Sequence, residues 1–161
     1  MGAWPGLAAD KLMDEEMYPV CAPALLHQDP PLRAPGDLGR VALIHDLSMD
    51  GHTGFPTWET WLQQAGATGV AASRGLKINN SAAVLQAAIE GRGVALARSV
   101  MARDDLATGR VVRLFPEIGG IRALTYYAVY RPGSASQPRL AAFRDWLMEE
   151  AAQQRADVKR S

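Results

Sequence analysis

Lys77-Ile-Asn-Asn-Ser-Ala-Ala-Val-Leu-Gln-Ala-Ala-Ile-Glu-Gly-Arg-Gly-Val-Ala-Leu-Ala-Arg98 holds, in order, a strand end, a capped helix, a glycine stop and a second strand. Asn80 or Ser81 can accept the unpaired N–H groups of the first helical turn. Val84, Leu85, Ala88 and Ile89 recur at helical spacing, and Gly91 falls where a helix commonly ends. Val94-Ala-Leu-Ala97 is a short apolar run of the kind buried in a mostly parallel sheet. A polar helix N-terminus beside a strand end is a natural place for a small anionic ligand. Asn79, Asn80 and Ser81 are therefore candidate ligand contacts as well as good capping residues.

The first ten or so residues, with Gly2, Pro5 and Gly6, read as a loop, and Met17 to Cys21 reads as a strand. Ala24-Leu-Leu26 suits a helical turn, and the proline-dense segment Asp29 to Gly36 suits a loop. Val41 to His45 is a strand, and Ser48 to Pro56 a polar loop. Thr57 caps an amphipathic helix with Trp58, Trp61, Leu62 and Ala65 on one face and Gly66 as its stop. Gly75 to Ile78 is a strand. Ser99 is expected to cap a helix reaching Ala107, with Val111 to Phe115 and Ala123 to Tyr130 as the last strands. Pro138 opens a long helix with Leu140, Phe143, Trp146 and Leu147 facing inward, and from Ala151 onward the polar end is expected to fray. Strands alternating with helices predict an α/β sheet with helices on both faces.

The 161 residues suit one domain, or one and part of another. Seventeen basic against seventeen acidic residues leave no electrostatic footprint for nucleic acid, so the chain alone is not expected to bind DNA. One cysteine excludes an internal disulfide framework and suits a reducing cytoplasm. No apolar run approaches the roughly 20 residues of a membrane span, and no leader pattern stands at the start.

Several motifs occur in an order that resembles the effector-binding domain of LysR-type transcriptional regulators, in the branch that includes the glycine-cleavage regulators. They are Trp4-Pro-Gly-Leu7, Pro19-Val-Cys-Ala-Pro23, Leu43-Ile-His45, Trp58-Glu-Thr-Trp-Leu62, Gly109-Arg-Val-Val112, Tyr126-Tyr-Ala-Val129 and Ala142-Phe-Arg-Asp-Trp-Leu147. The resemblance implies a periplasmic-binding-protein-like (type 2) effector domain, one complete lobe plus the C-terminal part of the other. By that analogy residues 1–17 are a remnant of the first lobe and crossover, and 18–116 are the second lobe. Residues 117–150 are the return crossover, strand and helix of the first lobe, and 151–161 are a polar tail. It implies a small-molecule effector bound in an interlobe cleft, an anion being one class that suits the helix N-terminus there. It also implies self-association through effector domains. Promoter DNA would be contacted only through an N-terminal winged helix-turn-helix that this chain lacks. The expectation is a fragment, or a frame begun at an internal Met, whose last helix lacks its sheet and so repacks, swaps or aggregates. A stand-alone small-molecule binding module is the alternative.

Other constellations are weaker. Arg74, beside Ser73 and Gly75, is the local candidate for pairing with a carboxylate, because guanidinium binds carboxylate bidentately; a solvated arginine is the competing reading. By the resemblance, His45 and Asp46 approach the effector. Tyr126 and Tyr127 point to opposite faces of a strand, so one of them, Tyr127 being the candidate, faces the cleft or the sheet interior. Cys21 with His45 and Asp46 has the residue types of a nucleophilic triad but no surrounding signature, and an inert buried thiol is the expected outcome. A hydrolase using Cys21 or Ser81 has no sequence feature in its favour. His45, Asp46, Asp50 and His52 lack metal-site spacing. No catalytic residue, metal ligand or cofactor is expected.

Overall fold

Leu43 and Ile44 are neighbours in one strand, yet they bury their side chains in different clusters. The same alternation runs through the sheet of this computed structural model, which describes residues 4–51, 54–134 and 136–158. In chain order the elements are β1 (Ala8–Cys21), α1 (Pro23–Leu26), β2 (Leu43–Asp46), α2 (Trp58–Gln64), β3 (Leu76–Ile78), α3 (Ser81–Ile89), β4 (Val94–Arg98), α4 (Ser99–Ala107), β5 (Val112–Arg113), β6 (Ile121–Tyr130) and α5 (Pro138–Val158). The chain forms two compact units, a central one of Glu16–Ala123 and a terminal one of Met1–Glu15 with Leu124–Ser161. The division falls within β1 and within β6.

In the central unit the strand order is β3-β2-β4-β1-β5. β2 pairs in parallel with β3 and β4, whereas β1 is antiparallel to β4 and β5. Leu43, Val94, Leu96, Met17 and Cys21 pack on one side with Trp58, Trp61 and Leu62 of α2. Ile44, Ala95, Ala97, Tyr18 and Val20 pack on the other with Val84, Leu85 and Ala88 of α3 and Ala102 of α4. Strand side chains alternate between faces, and both faces are covered, so these strands read as continuous apolar runs. Each large side chain so buried contributes roughly 1.5–3 kcal/mol.

Local chemistry fixes the helix ends. The Asn80 side chain accepts from Ala83 N at 3.0 Å, making Asn80 rather than Ser81 the cap of α3. At the other end Gly91 has φ +73°; its N–H reaches the Ala88 carbonyl and Arg92 N–H the Ala87 carbonyl, a double bond pattern that closes the helix. Thr57 caps α2 as expected, accepting from Thr60 N and receiving the Thr60 hydroxyl oxygen at its own N–H.

The structure departs from the sequence reading at several elements. Ser99 is the first residue of α4 rather than its cap, and its hydroxyl accepts from Glu16 N–H at 3.0 Å. β5 is two residues long because Phe115 turns out of the strand at φ +52°, with its ring 6.0 Å from Trp61. β1 starts at Ala8, well ahead of Met17, because a partner strand holds its polar early residues.

That partner is β6. Within the terminal unit, Tyr130 donates to Asp10 at 2.8 Å, Thr125 to Asp14 at 2.8 Å and Tyr126 to the buried Glu15 at 2.9 Å. Trp4 meets Tyr127 edge-on at 5.4 Å. In α5, Leu140, Phe143 and Trp146 are 46%, 56% and 51% exposed, where the periodicity predicts an inward face; Leu147 is half-buried. Phe143 and Trp146 stack on each other at 5.7 Å, as i, i+3 neighbours can. The helix also runs on to Val158, past the point where fraying is expected, through a segment rich in good helix formers.

Candidate functional site

β2 ends at Asp46, and α3 begins with Ser81 just past the end of the neighbouring β3. Parallel pairing therefore sets a strand terminus beside a helix start, the edge where open α/β sheets bind ligands. The Asp46 carboxylate gathers the local donors. Ser81 Oγ donates to Oδ2 at 2.5 Å, while Ser48 donates to Oδ1 from its backbone N at 2.9 Å and from Oγ at 2.5 Å. The two serine oxygens lie 3.0 Å apart. Asp46 also caps the short 3₁₀ turn Leu47–Met49.

Next to this cluster is a cavity of about 150 Å³. His45, Asp46, Met49, Asp50, Phe55 and Trp58 form much of its wall. The Trp58 indole is fixed by a bond from Nε1 to the Ile44 carbonyl at 2.9 Å. His45 donates from Nε2 to the Arg74 carbonyl at 3.1 Å, which sets its tautomer.

The structure thus brings Ser81 and Asn80 to one edge with Asp46 and Ser48, with Asn79 exposed just before them and His45 in the cavity wall. Ser73, Arg74 and Gly75 lie at the opposite end of β3. Arg74 and Gly75 border a separate cleft with Leu38, Arg40 and Val70. Gly75 has a packing reason of its own: at φ +130°, an added Cβ would fall on the Leu43 backbone carbonyl. Tyr127 belongs to the terminal unit. Ser48, Met49, Phe55 and Trp58 are wall or cluster residues that sequence reading did not select. A polar loop following a strand end was the available signal.

Cys21 is fully buried, and that burial pushes its thiol up to about 11. A neutral, enclosed thiol is not a nucleophile. His52 lies outside the described residues, and among the described residues no three His, Cys, Asp or Glu side chains are grouped to hold a metal. Among those residues, too, no helix is long and apolar enough to cross a membrane.

Comparison with known proteins adds a family. The model of the LysR substrate binding domain matches residues 2–152. The glycine cleavage system transcriptional activator of Escherichia coli K12 is 39% identical over 151 residues, covering 94% of this chain and 47% of that protein. The HTH-type transcriptional regulator PtxR of Pseudomonas aeruginosa is 36% identical, covering 91% and 46%. This chain spans about half the length of these curated relatives. Among solved structures, the effector domain of the regulator AmpR of Pseudomonas aeruginosa superposes with a TM-score of 0.72 at 30% identity, covering 98% of this chain and 72% of that one. The AmpR effector binding domain of Citrobacter freundii gives 0.71 at 25% identity, covering 94% and 71%. The mixed sheet and its flanking helices are accordingly the LysR effector-domain fold, periplasmic-binding-protein-like of type 2. With its motifs, its fold and the family match in agreement, the chain belongs to the LysR substrate-binding-domain family.

Proposed function

We propose that this chain is the effector-sensing part of a cytoplasmic LysR-type transcriptional regulator, non-enzymatic, with residues 18–116 as its second lobe and 117–150 as the return to the first. The observation that carries the site is the Asp46–Ser48–Ser81 cluster, set at the strand ends beside a cavity with a rigid indole wall. A small molecule contacts this edge, with Ser81, Asn80, Asn79 and His45 among its neighbours. For signalling it must bind one arrangement of the intact regulator better than another, since equal affinity for both shifts nothing. The balanced charge of the chain supports the view that promoter contact is made by an attached winged helix-turn-helix.

The test is a titration of the isotopically labelled chain with a panel of amino acids, amines and carboxylates, followed by amide and indole resonances. Saturable shifts at Asp46, Ser48, Ser81 and the Trp58 indole are expected for at least one compound. Binding that moves only residues remote from these would overturn the assignment of the site.

A further inference from the structure

We propose that the cavity beside Asp46 receives an ammonium group, so that the effector is a small amine or an amino acid. This rests on the reading of that edge as the effector site, and narrows the ligand's chemistry. The argument is a count of donors and acceptors. Both serine hydroxyls are within hydrogen-bond distance of the Asp46 carboxylate, which itself lines the cavity, so the wall there presents a negatively charged acceptor. Two side-chain donors in the described cavity wall are engaged elsewhere in the protein: Trp58 Nε1–H goes to the Ile44 carbonyl and His45 Nε2–H to the Arg74 carbonyl, while the Thr57 hydroxyl lies 3.5 Å from Thr60 Oγ1. Asp50 adds a second carboxylate, and no Lys or Arg lines the cavity among the described residues.

An anion placed here would meet the like charge of Asp46 and Asp50, with the Thr57 hydroxyl as the one side-chain donor not committed elsewhere among the described wall residues. An ammonium group supplies three donors to acceptor oxygens, in a cavity that two aromatic residues, Phe55 and Trp58, also line. Arg98, in the small adjoining cleft with Ser81, is engaged within the protein and does not line this cavity. The volume, about 150 Å³, is below the roughly 300–1,000 Å³ of sites for drug-sized ligands, which fits one small polar head.

Propylammonium chloride and sodium propionate, matched in shape and opposite in charge, separate the alternatives when titrated into the full chain with sodium chloride as control. Propylammonium is expected to shift the Trp58 indole and the Asp46 and Ser81 amides saturably, and propionate is not. Asp46→Asn should weaken propylammonium at least about tenfold, the scale of a charge-assisted hydrogen bond. Asp50→Asn, at an exposed position whose side chain caps nothing, should weaken it by a smaller factor even if the Asp46 variant fails to fold. Saturable binding of propionate at these residues would overturn the amine class while leaving the effector site standing. Propylammonium that moves none of them, or unchanged affinity in both variants, would overturn the proposal. The wider panel then decides separately whether the edge binds small molecules.

Discussion

Two helices that both carry large apolar residues at helical spacing end in opposite circumstances. α2 is seven residues long and buries Trp58, Trp61 and Leu62; α5 is 21 residues long and leaves Leu140, Phe143 and Trp146 about half exposed. Trp61 is wholly buried and Trp146 is 51% exposed. Helical spacing of apolar residues reports a face that can be buried. It does not report whether another element covers it. In the central unit, a sheet face with Leu43, Val94 and Leu96 lies under α2, and the reading is fulfilled. In the terminal unit the long helix carries an aromatic pair that stacks on itself instead.

Substitution tests this contrast most strongly at the tryptophans. Trp61→Ala should destabilise by about 3–5 kcal/mol, as removal of a buried aromatic does. Trp146→Ala should stay within about 0.5 kcal/mol, in the range of surface changes. Urea unfolding of both variants measures the pair, and equal losses would break the comparison. Gly75→Ala comes next: with a positive φ and the Leu43 carbonyl in the way, it should cost more than about 1 kcal/mol. That loss should appear as a lower unfolding midpoint without any added ligand, whereas a purely ligand-contacting Gly75 would leave the midpoint unchanged. Asn80→Ala removes the α3 cap and should cost about 0.5–2 kcal/mol, measured the same way.

The smallest effect lies at Asp37. Backbone N–H groups of Ala34 and Arg33 hydrogen-bond its carboxylate, and Arg40 lies beside it, so its pKa is held below the ordinary carboxylate value. A lowered folded-state pKa contributes stability that is present above the unfolded value and lost as pH falls through the folded one. Asp37→Asn should therefore make the acid side of the stability curve shallower and leave its slope near neutrality unchanged. Unfolding midpoints across the acidic range would show it.

What could be read from sequence follows the range of the physics. The α3 segment was legible because cap, periodicity, glycine stop and apolar strand all sit within one local window. The Asp46–Ser81 bond spans 35 positions, and only parallel pairing of β2 with β3 brings its ends together. Arg74 and Asn79 are close in sequence, but β3 runs between them and sets them at opposite ends of that strand. Glu15 sits in an acidic run that reads as solvated, yet its carboxylate is buried with the Tyr126 hydroxyl as a donor. Nothing near it in sequence announces that partner.

The terminal unit is assembled from the two ends of the chain, and the central unit from one uninterrupted stretch between them. During synthesis, domains generally fold as units in the order they emerge. Glu16–Ala123 is therefore free to fold on the ribosome, with its cavity formed, before α5 and the rest of β6 have been made. The first residues of β1 pair with a strand translated much later, Asp14 and its partner Thr125 being 111 positions apart. Birth order thus makes the proposed sensing surface an earlier product than the exposed aromatic helix.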